Sequence, residues 1–139
     1  MFKLNLIIAT LVIIASNVLA QQADEIIGNY HLPNDLDIEI FKNKGRYFGK
    51  IIALNGYENG QTKDINNPEK SKQNELLIDK VIIKDLEYNK EENQWLNGKM
   101  YGPEKGMVFN LKITKMRQKE IEVVGSKYLF WRTMEWQKI

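Results

Sequence analysis

The 139 residues carry 20 lysines and arginines against 18 aspartates and glutamates, a net charge of +2 at pH 7, and no cysteine. Basic and acidic residues are interleaved rather than gathered in a stripe, which removes the electrostatic case for nucleic acid. Without cysteine there is no disulfide, thiolate metal site, thiol nucleophile or lipidated-cysteine anchor, so the chain must be held by its apolar core.

The first twenty residues read as separate from the fold. Lys3 supplies one positive charge, residues 4–14 are almost wholly apolar, and Val18-Leu19-Ala20 offers a small-residue cleavage site. That is the pattern of a secretory signal peptide, with an apolar run too short for a good membrane span. The other reading, an amphipathic or buried helix, lacks a polar face. Cleavage after Ala20 would leave residues 21–139 as a single domain, expected to be a monomer with no transmembrane segment. Its compartment would be the periplasm or the exterior of a bacterial cell.

Residues 26–30 read as a first strand, broken by the turn residues Pro33 and Asn34. Leu36, Ile38 and Ile40 then alternate with Asp37 and Glu39, the period of a half-buried strand. The third strand, residues 47–54, has apolar side chains of both parities, so it is covered on both faces or twisted at Gly49. From 55 to 73 no strand pattern survives. Asn67-Pro68-Glu69 has the chemistry of a helix start, with Asn67 as N-cap and Pro68 at the first helical position. One short helix is expected near 68–75, inside a long connection of the kind that forms lids and binding loops.

Residues 76–88 fit either period. Leu77, Val81 and Ile83 share a strand face, whereas Ile78, Ile82 and Leu86 are spaced as on a helix; Val-Ile-Ile at 81–83 favours a strand. The clearest stretch follows: a strand at 95–101, a turn at Gly102-Pro103-Glu104-Lys105-Gly106, and a return strand at 107–113. Met107, Phe109, Leu111 and Ile113 fall on one face of that return strand. Ile121 and Val123 face one way in the next strand, Gly125-Ser126-Lys127 reads as a turn, and residues 129–138 form the last strand. Short turns make neighbours antiparallel, and a meander of about eight strands removes its exposed edges by closing. The expected fold is all-β: an antiparallel eight-stranded up-and-down barrel with one short helix in the long loop. A two-sheet β-sandwich is the alternative.

Four segments carry a resemblance in this order: Gly45-Arg46-Tyr47-Phe48-Gly49-Lys50-Ile51, Lys63-Asp64-Ile65-Asn66-Asn67-Pro68, residues 95–106, and Arg132-Thr133-Met134-Glu135-Trp136. Over residues 26–138 the chain resembles the exported bacterial domain-of-unknown-function 2147 family, with 63–68 the most specific part. The resemblance implies export and a fold rather than an activity. Members often carry a cysteine pair around the third strand, which is missing here. The chain is also similar to calycins, the barrel group that includes lipocalins. Gly28-Asn29-Tyr30 stands where they have Gly-x-Trp, and Arg132 lies on the last strand as their stacking arginine does. That implies Arg132 over the Tyr30 ring, a cation–π contact of ~0.5–2 kcal/mol; the alternative is an exposed arginine on an edge strand.

Lys63, Asp64 and Asn66 form the densest polar cluster of the long loop. With Tyr101 and Arg132 they are the candidates for contacting a ligand at the barrel mouth. In the competing structural reading Asp64 closes an Asx-turn and Asn67 caps the helix. Gly28, Tyr30, Asn67, Pro68, Trp95, Gly102, Pro103, Gly106 and Trp136 are expected to be structural. A calcium loop at Asp64 lacks the following glycine and the distal glutamate. Asp37 and Glu39 lie on a solvent face, unsuited to paired-carboxylate chemistry. His31 is the only histidine and reads as a turn residue. Neither a metal nor a cofactor is expected. The first reading is a non-enzymatic binding module for a small apolar or amphipathic ligand. An envelope structural or interaction protein comes second, and a hydrolytic enzyme using the Asp64 loop last.

Overall fold

The computed structural model describes the backbone of residues 2–139 and the side chains of residues 12–15 and 17–139. A helix, α1 (Phe2–Ala23), leads through a 3-10 turn at Asp24–Ile26 into eight strands. These are β1 (Gly28–His31), β2 (Asp37–Asn43), β3 (Arg46–Ala53), β4 (Val81–Asn89), β5 (Gln94–Gly102), β6 (Met107–Met116), β7 (Glu120–Lys127) and β8 (Phe130–Lys138). Each pairs antiparallel with the next, and β8 returns to β1 through Tyr30↔Lys138 and His31↔Gln137. The sheet is a closed barrel in sequence order; the sandwich alternative does not occur. No described helix is long and apolar enough to cross a membrane.

An eight-stranded barrel leaves an interior just wide enough for side chains, and here large ones fill it. Tyr30, Tyr47, Trp95 and Trp136 are at most 1% exposed, with Ile38, Ile40, Ile51, Leu86 and Ile113 beside them. Such packing needs glycine where strands approach closely. A Cβ on Gly49 would stand 2.8 Å from Ile83 Cδ1, and the β3–β4 register shifts on both sides of Gly49. The second parity of β3 is half-buried because Phe48 stacks on Phe41 of β2, ring centroids 5.9 Å apart.

The two ends of the barrel differ. At the β1 start the incoming chain is bonded down: the Trp95 indole donates to the Ala23 carbonyl at 2.9 Å. There the Tyr47 hydroxyl and Lys42 both donate to Asp24, and Ile26 is fully buried. At the other end lie the β1–β2 loop, the long connection 54–80, and the β5–β6 and β7–β8 hairpins.

Several expectations change in detail. The short helix of the long loop is α2 (Tyr57–Gly60), and only a 3-10 turn at Lys70–Lys72 forms near 68–75. The cause is visible at Asn67, whose Oδ1 accepts the Glu69 N–H at 2.9 Å while Glu69 is extended, so the bond closes an Asx-turn instead of starting a helix. Leu77 is buried in the loop outside β4, and Val81 faces solvent while Ile82 and Ile83 are both buried. A left-handed Asp85 at φ 63° marks the irregularity that breaks the alternation. Gly125-Ser126-Lys127 belongs to β7, and the turn is Tyr128 and Leu129. Gly125 is a glycine for room: a Cβ there would stand 3.1 Å from the Phe109 ring. Arg132 does not stack on Tyr30. It pairs with Gly125, six residues along β8 from the Lys138 that faces Tyr30, about 20 Å away at ~3.3 Å per residue. The Tyr30 hydroxyl instead donates to the Ile26 carbonyl at 2.8 Å.

Two predictions test this packing. A Cβ on Gly98 would stand 2.6 Å from Leu86 Cδ2 and 2.9 Å from the Leu111 carbonyl, so Gly98→Ala should cost about 1–3 kcal/mol, read as a lower urea midpoint at unchanged m-value. The Asp24 carboxyl is held below its ordinary 3.8 by the Tyr47 hydroxyl first and Lys42 next. Its contribution to stability is present above pH 3.8 and is lost as the pH falls through the depressed value. The stability gap between wild type and Asp24→Asn should therefore be seen at neutral pH and close on acidification.

Candidate functional site

The long loop would be a lid only if it could lift, and one carboxylate decides that. Asp64 is fully buried, and every approach to it is taken by the protein. The Tyr101 hydroxyl of β5 donates to Oδ1 at 2.7 Å, Asn67 Nδ2 donates to Oδ2 at 2.8 Å, and Lys80 Nζ lies 3.2 Å from Oδ2. Backbone bonds complete the knot: the Asp64 N–H donates to Glu75 and the Asn67 N–H to the Asp64 carbonyl. Lys80 also reaches Glu75 at 2.6 Å. Burial works against its ammonium, but the bonds to Glu75 and Asp64 outweigh it and hold the lysine above its ordinary range. Burial first, then the Asp64 bond, push the Tyr101 hydroxyl up, so it remains a donor.

The neighbouring residues press the loop onto the β5–β6 turn. Asn66 Nδ2 donates to the carbonyls of Pro103 and Glu104 at 3.3 and 3.1 Å. Gly106, at φ 62°, passes so close that a Cβ would lie 1.9 Å from the Asn66 carbonyl. The Tyr57 hydroxyl donates to Glu104 Oε2 at 3.2 Å. Asp64, Asn66 and Tyr101 are thus brought together as a lock between loop and hairpin. Lys63 sits at its edge, making an isolated bridge to Leu76 with its side chain exposed. A substrate would find no free oxygen on Asp64, so the arrangement offers no catalytic base there.

With the loop locked, Leu32, Leu36, Tyr57 and Leu77 join the core from this end. A depression of about 330 Å³ lies over the lock, lined by Glu75, Lys80 and Tyr101, and a second, of about 320 Å³, opens between the β5–β6 and β7–β8 hairpins. Its apolar lining comes from Met107, Phe109, Phe130 and Met134, and Arg132, Lys105 and Glu104 stand at its rim. Arg132 pairs with no carboxylate among the described residues. A broader depression of about 530 Å³ lies outside the barrel across β5–β7, where Lys99, Asn110 and Lys112 line it together with Leu96 and Val124. Among the described residues no three His, Cys, Asp or Glu side chains gather as a metal site.

Of the five candidate ligand contacts read from sequence, Arg132 alone lines the mouth, without Lys63, Asp64, Asn66 or Tyr101. Sequence reasoning missed Phe109, Phe130 and Met134 as lining, and Lys80 and Tyr57 as parts of the lock. One signal was available: Tyr128-Leu129-Phe130-Trp131, four large apolar residues where the chain has to turn.

The lock predicts large effects. Asp64→Ala leaves the Tyr101 hydroxyl and the Asn67 amide without their acceptor, while Lys80 keeps Glu75, and should cost about 1–3 kcal/mol for each group left unpaired. Tyr101→Phe, which removes one charge-assisted bond, should cost about 1.5–3 kcal/mol. Both are read by urea denaturation.

The model of a family described as an uncharacterized protein conserved in bacteria (DUF2147) matches residues 28–138. Among solved structures, a Helicobacter pylori protein reported as belonging to the lipocalin family is 18% identical, with 82% of each chain covered and a TM-score of 0.72. At that identity the likeness is one of fold. No curated protein matches the chain.

Proposed function

Since the chain belongs to the DUF2147 family of bacterial proteins, whose description states no activity, we propose its function from the barrel mouth: binding of a small amphiphile with an anionic head. The observation that carries this is the roughly 320 Å³ depression with an apolar floor and an arginine left without a carboxylate at its rim. Its size falls at the lower end of small-molecule sites, which combine apolar walls with a few orienting polar groups. The filled interior below Met134 and Phe109 limits the ligand to the mouth, where its tail meets Met107, Phe109, Phe130 and Met134 and its head meets Arg132. The locked loop keeps that mouth preformed, which lowers the ordering cost of binding. No step of this role requires catalysis.

Export is part of the same proposal. The apolar run 4–14 and Val18-Leu19-Ala20 support cleavage after Ala20, and the bonds that fasten the chain to the barrel begin just beyond it, at Ala23 and Asp24. Intact-mass measurement of protein from a bacterial periplasmic fraction should give a chain starting at Gln21; an uncleaved chain confined to the cytosol contradicts it.

For the ligand, calorimetric titration with dodecanoate and with dodecanol separates head from tail. Arg132→Gln should weaken dodecanoate about tenfold, roughly 1.4 kcal/mol, and leave dodecanol unchanged. Absence of dodecanoate binding, or equal affinity in the variant, overturns the reading. Native mass spectrometry of the protein from its own compartment should show a co-purifying small acid.

A further inference from the structure

The turn between β7 and β8 is built backwards for a soluble protein. Tight hairpin turns favour Asn, Asp and Gly. Here Tyr128 and Leu129 form the turn and Phe130 and Trp131 open β8, with exposures of 91, 86, 81 and 76%. Beside them on the β5–β6 hairpin, Met107 and Val108 are 42 and 49% exposed. The two hairpins are tied together, because Lys127 Nζ donates to the Val108 carbonyl at 2.9 Å. The result is one apolar projection at the mouth end, made from two adjoining hairpins.

The charges around it are mostly basic, three cations to one carboxylate. Lys127 adjoins Tyr128, its ammonium 5.7 Å from the ring centroid, and Lys105 and Arg132 stand on the same rim. The acidic residue of that rim, Glu104, accepts the bond from Tyr57. We propose that this projection inserts into the surface of an anionic lipid membrane. Leu129 and Phe130 enter the acyl boundary, Tyr128 and Trp131 lie at headgroup level where their amphipathic rings are favoured, and Lys105, Lys127 and Arg132 meet the phosphates. A second copy is the poorer occupant: a self-complementary contact sets a patch against itself and would bring these cations together while desolvating them. A lipid surface of opposite charge satisfies both the apolar tip and its collar.

The inference does not need the mouth to hold a ligand, although the two agree: a docked tip would set the mouth against the bilayer, where amphiphiles reside. The test uses the full chain and tryptophan emission with vesicles of phosphatidylglycerol and phosphatidylethanolamine, with and without brominated acyl chains. Trp95 and Trp136 are buried, so quenching by the acyl chains reports Trp131 and is insensitive to what α1 does. Wild type should show a blue shift and bromine quenching, both weakened at least tenfold in Leu129→Asp and in vesicles of phosphatidylcholine alone; Trp131→Phe should abolish the signal. Leu129 lies outside the mouth, so Leu129→Asp should bind dodecanoate as wild type does. Quenching without dodecanoate binding removes the mouth reading and leaves this one standing. Unquenched Trp131 on every vesicle, undiminished quenching in Leu129→Asp, or a concentration-dependent dimer that shields Trp131 while lipid does not, overturns the inference.

Discussion

The buried carboxylate of Asp64 is the constraint on which the open end of this barrel depends. Taking an ion of that size out of water costs several kcal/mol even after relaxation, and the fold offsets it by bringing Tyr101, Asn67 and Lys80 to it at 2.7 to 3.2 Å. Those partners come from β5, from the loop itself and from the residue just before β4. Lifting the loop would break the Tyr101–Asp64 bond that crosses from β5, together with the Asn66 bonds to the β5–β6 turn. That converts residues 54–80 from a candidate lid into a fixed part of the wall, and it decides where any ligand can go.

The second constraint is room. Eight strands enclose little space, and Trp95, Trp136, Tyr30 and Tyr47 occupy it. Strand parity then places Met107, Phe109, Leu111 and Ile113 in a gradient from rim to core, the outer pair lining the mouth and the inner pair buried. One end of the barrel thus carries a shallow apolar mouth and, beside it, an exposed apolar hairpin.

Much of the architecture was legible because it is local. Alternation at 36–40 and 107–113, and the Gly-Pro turn at 102–106, each concern residues within a hairpin's reach, and short turns leave a meander few choices. Closure was legible in the same way, since eight strands with two free edges have a reason to meet. The lock was not: Asp64 and Tyr101 are separated by 37 residues, and nothing in either segment announces the other. Asn67 shows how local chemistry misleads, since a helix-capping side chain followed by proline serves equally well to close an Asx-turn. Gly125 shows the same for glycine, which reads as a turn and is instead the space for the Phe109 ring. The Arg132–Tyr30 pairing failed on distance along β8, a quantity that a matching pair of residue types does not contain.

Native-state hydrogen exchange tests most directly whether the loop is part of the wall. The amides of Asp64, Asn67 and Leu77 donate to Glu75, Asp64 and Thr62 in turn. If the buried carboxylate locks this segment, they exchange only through global unfolding, with the same opening free energy as core amides of β5. Exchange by local opening, several kcal/mol easier than in the strands, would show a loop that lifts freely and would contradict the account at its base.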